Sequence, residues 1–325
     1  MITMKSVQSR RKQIINGLGV WLILIGLLIV LSLTIGPDVF FGVNLINVIR
    51  QICVVGVMAV GATFVILCGE IDLSAGAMAA LSGCASAFLI VNLGFGVWTS
   101  IILTIIVGMV FGLIMGTAVT YLRVESFIAT LGMQYILTGI VMLITNGSPI
   151  LNLPDAYLII GRGYVLDVIP VPTIILLVLV ILMAFVQRYT KFGRDVMAVG
   201  ENRVAARLSG INVIQTKLIV FALAGGISAL SGIMLASRLS SGQPTAAGDL
   251  SLQALAAVYV GGGTAAAGTQ NGVIGTLAGA LIIGFINNGM NLLEINAYWQ
   301  KVVLGAVIIA AVALDAYRSY AGKKN

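Results

Sequence analysis

The 325-residue sequence contains no histidine and very little charge. Only 9% of its residues are charged, and only eleven are acidic. The water-facing surface of a domain is usually about a quarter to a third charged, so the composition excludes a soluble domain of this size. The lack of histidine removes the commonest proton shuttle and metal ligand. It therefore argues against a metalloenzyme or a proton relay.

Motifs for catalysis and nucleotide binding are also missing. The sequence has no G-x-x-x-x-G-K-[ST] stretch and therefore no P-loop for ATP, and it has no serine elbow or kinase motif set. Its three cysteines (Cys53, Cys68, Cys84) lie within or beside apolar runs. Their spacing favours small core residues over disulfide partners or metal ligands. We predict no active site, metal site or cofactor site in this chain.

Apolar residues are what the sequence has in abundance. They make up 59% of the chain, and the mean hydropathy is +1.10. Apolar runs of about 20 residues, the length needed to cross a bilayer, recur throughout. We predict an all-α polytopic membrane protein with a single transmembrane domain over residues 1–325. About ten spans are expected, near residues 14–35, 45–67, 76–93, 97–120, 127–145, 169–186, 218–236, 251–260, 272–290 and 298–316.

The distribution of basic residues orients these spans. The net charge is +7, and with ten spans fourteen of the eighteen basic residues fall on one side of the membrane, the exceptions being Arg50, Arg162, Arg238 and Lys301. Lys and Arg collect in cytoplasmic loops, so both termini are predicted to be cytoplasmic. This topology explains the positive charge without a nucleic-acid partner. Spans 3 and 8 are weak, and eight spans are the alternative.

Two glycine-rich interruptions, residues 68–76 after span 2 and residues 261–271 after span 8, occupy similar places in the two halves. Such pairs often mark internal repeats in transporters, and we treat a repeat as a hypothesis. The first interruption contains Glu70, Asp72 and Ser74. Carboxylates within a membrane are functional candidates. The interpretation we favour is that they lie at the inner water boundary, where Asp72 or Ser74 caps span 3.

Spans 3 and 9 are rich in Gly, Ala and Ser, which predicts close helix packing. Three amides follow at the outer end of span 9: Asn287, Asn288 and Asn291. They either meet a polar solute or form hydrogen bonds between helices. The second use is the commoner one for Asn within a helix bundle, and we favour it.

The longest polar segment runs from residue 187 to residue 217 and carries six basic residues and two acids. Asn202 is suited to cap a short helix, and Gly210 is suited to end it. Helical spacing places three apolar residues on one face of this helix: Val204, Leu208 and Ile211. Such a helix either docks a protein or lies on anionic lipid, and composition does not decide between the two.

Four segments, taken in order, resemble the permease subunits of ribose-type ABC sugar importers, which depend on a binding protein. They are EIDLSAGAMAALSG (70–83), ESFIATLG with TNGSPI (125–132 and 145–150), TKFGRDVMAVGENRVAARLSGINV (190–213) and the run at 240–293. The similarity extends over nearly the whole chain. It implies a permease that carries a monosaccharide across the bacterial inner membrane by alternating access.

The resemblance also implies partners. A second permease chain would complete the pathway, and a separate ATPase subunit would bind ATP and Mg. A periplasmic sugar-binding protein would deliver the sugar. The alternative is a stand-alone secondary transporter or channel for a small polar solute, which the missing ATP site and the paired interruptions also fit.

The resemblance implies roles for particular residues. The polar segment at about 187–217 is similar to the loop that couples such permeases to the ATPase, through Gly200, Asn202, Ala205, Ala206, Arg207, Leu208, Gly210 and Ile211. Glu70 stands where ribose permeases usually have a small residue, whereas the stretch Ser241–Thr245 is closer to ribose or allose permeases. We take Gln243 and Pro244 from that stretch as candidates for binding-protein contact. Candidates for the pathway or a gate are Glu70, Asp72, Ser74, Asn287, Asn288 and Asn291.

Overall fold

A computed structural model describes residues 4–37, 40, 43–262 and 272–323. Within these residues the chain forms thirteen helices and one two-stranded sheet. In chain order the elements are α1 (Met4–Ile35), α2 (Val43–Leu67), α3 (Ala75–Val91), α4 (Val97–Thr120), α5 (Ser126–Thr145), α6 (Asp155–Arg162), β1 (Tyr164–Val165), β2 (Ile169–Pro170), α7 (Val171–Tyr189), α8 (Lys191–Glu201), α9 (Arg203–Leu208), α10 (Val213–Leu239), α11 (Leu250–Val260), α12 (Gly272–Leu292) and α13 (Ala297–Lys323).

Among the described helices, six are long and apolar enough to cross a membrane: α2, α4, α5, α7, α10 and α12. This confirms the all-α, polytopic prediction. The two spans that were weak in the sequence correspond to short helices, α3 with 17 residues and α11 with 11. Most of the second glycine-rich interruption, residues 263–271, lies outside the described residues. The internal repeat therefore stays a hypothesis.

Helices α2 and α10 form the centre of the bundle. Almost every side chain from Ile52 to Cys68 is buried, and most of α10 is buried as well. By contrast α4, α5 and α7 expose large apolar side chains along their outer faces, among them Ile106, Ile136 and Ile181. Exposed apolar faces of this extent are typical of a lipid-facing surface.

Small residues allow the central helices to approach closely. A Cβ atom on Gly83 of α3 would lie 2.9 Å from the carbonyl oxygen of Gly232 in α10. A Cβ on Gly279 of α12 would overlap the carbonyl oxygen of Ala257 in α11. The close packing predicted for spans 3 and 9 is thus confirmed at these crossings.

We expect a Gly232→Ala substitution to destabilise the protein. The added Cβ would lie 2.6 Å from the Cα of Ala79, so α3 and α10 would have to separate. Overpacking of this kind costs about 1–3 kcal/mol. Thermal unfolding in detergent measures the effect. Gly139→Ala in α5 is the matched control, because its added Cβ meets no other helix within 4 Å among the described residues. An equal fall in melting temperature for both variants would contradict the packing argument.

The bundle has two distinct ends. The α9 end carries α8, α9 and the irregular segment 68–74 between α2 and α3, and the α6 end carries α6 and the hairpin. In the hairpin Tyr164 pairs with Pro170, and Val165 pairs with Ile169. Helices α6 and α8 were not anticipated within the loops of the sequence. Each begins at a recognisable signal, Pro154 before α6 and the capping residue Thr190 before α8.

Candidate functional site

The polar segment forms two consecutive helices with well-defined ends. Thr190 Oγ1 caps α8 by accepting a hydrogen bond from Gly193 N at 3.1 Å. Asn202 Oδ1 caps α9 by accepting bonds from the N–H groups of residues 204 and 205, both at 3.0 Å. Gly210 follows α9 with a φ of +82°, a conformation that glycine adopts without strain. The cap at Asn202 and the helix end at Gly210 are both confirmed.

Helix α9 turns large apolar side chains away from the bundle. Ala206 is its buried residue, whereas Val204 is 70% exposed and Leu208 is 84% exposed. Ile211, which the helical pattern placed on the same face, is half-buried. A helix outside the apolar bundle that exposes Val and Leu four residues apart offers a compact surface for contact.

A close backbone contact holds α8 against the bundle. A Cβ atom on Gly200 would overlap the carbonyl oxygen of Leu67, the last residue of α2. Only glycine therefore fits at this position. Gly69, with a φ of +76°, lies next to this contact. The turn between α8 and α9 thus rests on the point where α2 ends.

Glu70 is the charged centre of this junction. Its carboxylate is 5% exposed, and Oε1 forms ion pairs with Arg203 Nη2 at 2.8 Å and with Lys217 Nζ at 2.5 Å. Arg203 Nη2 also donates to the carbonyl oxygen of Gly69 at 3.1 Å. A buried carboxylate is stable only when it is paired, and here the two cations come from α9 and α10.

Beyond Glu70 the chain turns back into the bundle. Asp72 Oδ1 accepts hydrogen bonds from Ser74 N at 2.8 Å and Ser74 Oγ at 2.6 Å. Ser251, at the start of α11, meets this segment. Its Oγ accepts a bond from Gly76 N at 2.6 Å and donates to the carbonyl oxygen of Leu73 at 2.9 Å.

Glu70 and Asp72 are buried within the bundle, and their place at the inner water boundary stays a prediction. The expected side-chain cap of span 3 is wrong. Ser74 occupies the N-cap position of α3 without a side-chain cap bond, and Asp72 bonds to Ser74 instead of to the first turn. The free N–H of that turn is satisfied by Ser251 from another helix, a partner that local sequence spacing cannot reveal.

A cavity of about 530 Å³ opens beside the Glu70 ion pairs. It lies between segment 69–71, the connection from α4 to α5, helix α9 and the start of α10. Its charged lining residues are Glu70, Arg123, Glu125, Arg203, Arg207 and Lys217. Four of these six are basic, so the cavity carries a positive balance.

A family model described as the permease component of branched-chain amino acid transport systems matches residues 44–312. The chain belongs to this permease family. The ribose import permease RbsC of Haemophilus influenzae is 43% identical to it over 295 residues, which cover 90% of each chain. RbsC of Bacillus subtilis is 41% identical over 322 residues, 97% of this chain and 99% of the relative. The xylose transport system permease XylH of Haemophilus influenzae is 35% identical over 332 residues, 84% of this chain and 88% of the relative. No solved structure matches the chain.

The permease is therefore a multi-pass membrane protein and a transport component, as the sequence predicted. Its predicted coupling residues all lie on the unit formed by α8, α9 and the turn that follows: Gly200, Asn202, Ala205, Ala206, Arg207, Leu208, Gly210 and Ile211. The fold brings these residues together on the α9 end. Their contact with an ATPase stays a prediction.

The candidates for binding-protein contact lie on residues 240–249, a segment that returns into the bundle from the α6 end. Gly242 pairs with Ile150 through two backbone hydrogen bonds of 2.9 Å. Pro244 is buried, and the amide of Gln243 donates to Ser241 Oγ at 3.1 Å. Contact between a binding protein and Pro244 would require this segment to open.

Two of the three candidate amides of α12 form bonds with other elements. The side chains of Asn288 and Asn44 exchange two hydrogen bonds of 3.1 Å, which join α12 to α2. Asn291 accepts a bond of 2.7 Å from Gln300 in α13, and Asn287 is half-buried. Their proposed place in a solute pathway stays a prediction.

The partners of Glu70 were missed at the level of sequence. Arg203 and Lys217 were read as part of a basic loop, although a carboxylate bordering a span needs a nearby cation. Lys217 is the last residue of the polar segment and directly precedes an apolar run, so its burial could have been predicted. No feature of the sequence around Ser251 indicated its contact with the segment before α3.

Proposed function

We propose that this permease is the membrane-spanning subunit of an ATP-driven, binding-protein-dependent importer for a monosaccharide such as ribose or allose. Its relatives RbsC and XylH are named as ribose and xylose permeases, and their similarity covers most of the chain. The observation that carries the proposal is the exposed apolar face of α9, anchored on the bundle through buried Ala206. A subunit that binds no ATP itself needs such a surface to receive movement from an ATPase.

In this proposal the ATPase docks on α9, with Val204 and Leu208 as apolar anchors and Arg207 beside them. Apolar anchors at the centre of an interface supply most of the energy of protein association. ATP and Mg are bound by the partner. When the ATPase binds ATP, it moves and displaces α9. This displacement shifts the permease between conformations that open to opposite sides of the membrane.

We further propose the arrangement in the membrane. The chain crosses the bacterial inner membrane ten times, with both termini and the α9 end in the cytoplasm, which keeps fourteen of the eighteen basic residues on that side. Two copies pair around one pathway. The sugar-binding protein docks at the α6 end, and lipid covers the outer faces of α4, α5 and α7.

The chemistry of a neutral sugar fits this chain. A sugar needs hydrogen-bond donors and acceptors but no fixed charge, and charges at mid-membrane are costly. The polar candidates for the pathway are the α12 amides, above all half-buried Asn287, with Asp72 and Ser74 at the opposite end of the bundle. Each would contribute amide, carboxylate or hydroxyl groups to a passing solute.

The test is co-purification of an ATPase from native membranes. We expect the wild-type permease to retain a stoichiometric P-loop ATPase, and a Val204→Ala/Leu208→Ala variant to lose most of it, because both anchors of the docking face are removed. Leu166→Ala is the matched control, since Leu166 is 85% exposed but lies in the hairpin at the α6 end. Quantitative mass spectrometry of the purified complex measures the ratio of the subunits.

Two results would contradict the proposal. One is a wild-type permease that purifies without an ATPase and still moves ribose into ATP-free vesicles, as a secondary transporter would. The other is full retention of the ATPase by the double variant, which would remove α9 as the docking site.

A further inference from the structure

The irregular segment 68–74 connects α2 to α3, and its two ends contact different parts of the protein. Its first residues rest on the α8–α9 turn through Gly69 and Gly200, and Arg203 donates to the carbonyl oxygen of Gly69. Its last residues lie inside the bundle against Ser251 of α11. The segment thus reaches from the proposed docking helix to the interior of the bundle.

We infer that the ion pair between Glu70 and Arg203 transmits movement of α9 to this segment and, through it, to the starts of α3 and α11. This inference rests on the proposed function, because it assumes that α9 is moved by an ATPase. It assigns Glu70 and Arg203 a specific role, that of positioning residues in the coupling of ATP use to transport.

The geometry favours Arg203 as the moving partner. Arg203 is the first residue of α9, and its side chain is 53% exposed, whereas the side chain of Lys217 is 8% exposed on α10. Both bind the same carboxylate oxygen. When α9 shifts relative to α10, the Glu70 carboxylate either follows Arg203 or stays with Lys217. In either case one of the two ion pairs of Glu70 lengthens, and the position of segment 68–74 changes with it.

Contacts beyond Glu70 carry a displacement inward. Ile71 N donates to Ser126 Oγ of α5 at 3.2 Å, and Asp72 holds the backbone at Ser74. Ser251 then bonds both Leu73 and the first turn of α3. No regular helix spans residues 68–74, so the segment can change its backbone angles without breaking a helical ladder.

The cavity beside the ion pairs leaves space for the side chains of Glu70 and Arg203 to move. It has a volume of about 530 Å³ and is lined by Glu70, Arg203 and Lys217. Side chains in a close-packed core shift only together with their neighbours, whereas an open cavity lets Arg203 move with α9. The ion pair is therefore placed where a helix displacement meets little steric resistance.

The experiment compares ATP hydrolysis with transport in the complete importer, reconstituted in vesicles with its ATPase and binding protein and assayed with radiolabelled ribose. For Arg203→Met we expect assembly with the ATPase and near-normal ATP hydrolysis. The amount of ribose moved per ATP should fall about tenfold, within the range typical of coupling between two sites. Arg203→Lys should recover most of the loss, because it keeps the charge. Should Arg203→Met fail to accumulate, Arg203→Gln provides the same comparison.

Lys191→Met is the matched control, because Lys191 is exposed at the start of α8, on the same end of the bundle, and forms no ion pair with the residues that the structure describes. Its ratio of ribose to ATP is expected to equal that of the wild type. The inference is overturned when Arg203→Met keeps the wild-type ratio, or when hydrolysis and transport fall in proportion, as a merely structural role would predict. A wild-type complex that lacks ATP-dependent uptake would instead contradict the proposed function itself.

Discussion

An Ala206→Pro variant is expected to lose sugar uptake while it still accumulates in the membrane. The N–H of Ala206 donates to the carbonyl oxygen of Asn202 at 2.9 Å, and proline removes this bond and clashes with the preceding turn. Proline inside a helix costs about 3 kcal/mol or more. Helix α9 has only six residues, too few to compensate for such a loss. The population of the intact helix should therefore fall on the order of a hundredfold.

The measurement is uptake of radiolabelled ribose by cells that carry the whole importer, together with the amount of permease in their membranes. Lys191→Pro is the matched control. Lys191 is the first residue of α8 and is exposed, and proline is well tolerated at the first position of a helix. Normal uptake by Ala206→Pro would rule out a coupling role for α9, and absence of the protein from the membrane would show a folding defect instead.

The sequence was sufficient for the parts of this fold that depend on local chemistry. Apolar runs predicted the membrane helices because backbone groups in lipid must be satisfied within the segment. Asn202 and Gly210 predicted the ends of α9 because capping is decided within a few residues. Small residues in span 3 predicted close packing, although not that the partner of Gly83 would be Gly232.

Contacts between distant segments could not be predicted in the same way. The partners of Glu70 lie 133 and 147 positions away in the chain, and Ser251 caps a helix that begins at Ala75. Such pairings depend on how the helices are arranged, which periodicity does not encode. For the same reason the sequence predicts only a connection between spans 7 and 8 at residues 240–249, whereas Gly242 and Ala247 are buried there and lie against α3.

A Lys217→Met variant is expected to be strongly destabilised, because it removes the buried partner of a buried carboxylate. Breaking a buried ion pair on one side costs about 3–5 kcal/mol, and Arg203 still offsets part of that loss, so we expect about 3 kcal/mol. Thermal unfolding of the purified permease in detergent measures the change. Lys301→Met breaks an exposed pair with Asp249, which is worth at most about 1 kcal/mol, and serves as the control.

A second substitution separates loss of charge pairing from loss of packing. Glu70→Gln in the Lys217→Met background removes the stranded carboxylate, so part of the stability should return. No recovery would mean that Lys217 stabilises the junction through its aliphatic stem and not through its charge. Lys217 and Arg203 bind the same oxygen of Glu70, but Lys217 is buried in α10 whereas Arg203 is half-exposed on α9. We therefore expect Lys217 variants to lose mainly stability and Arg203 variants to lose mainly coupling.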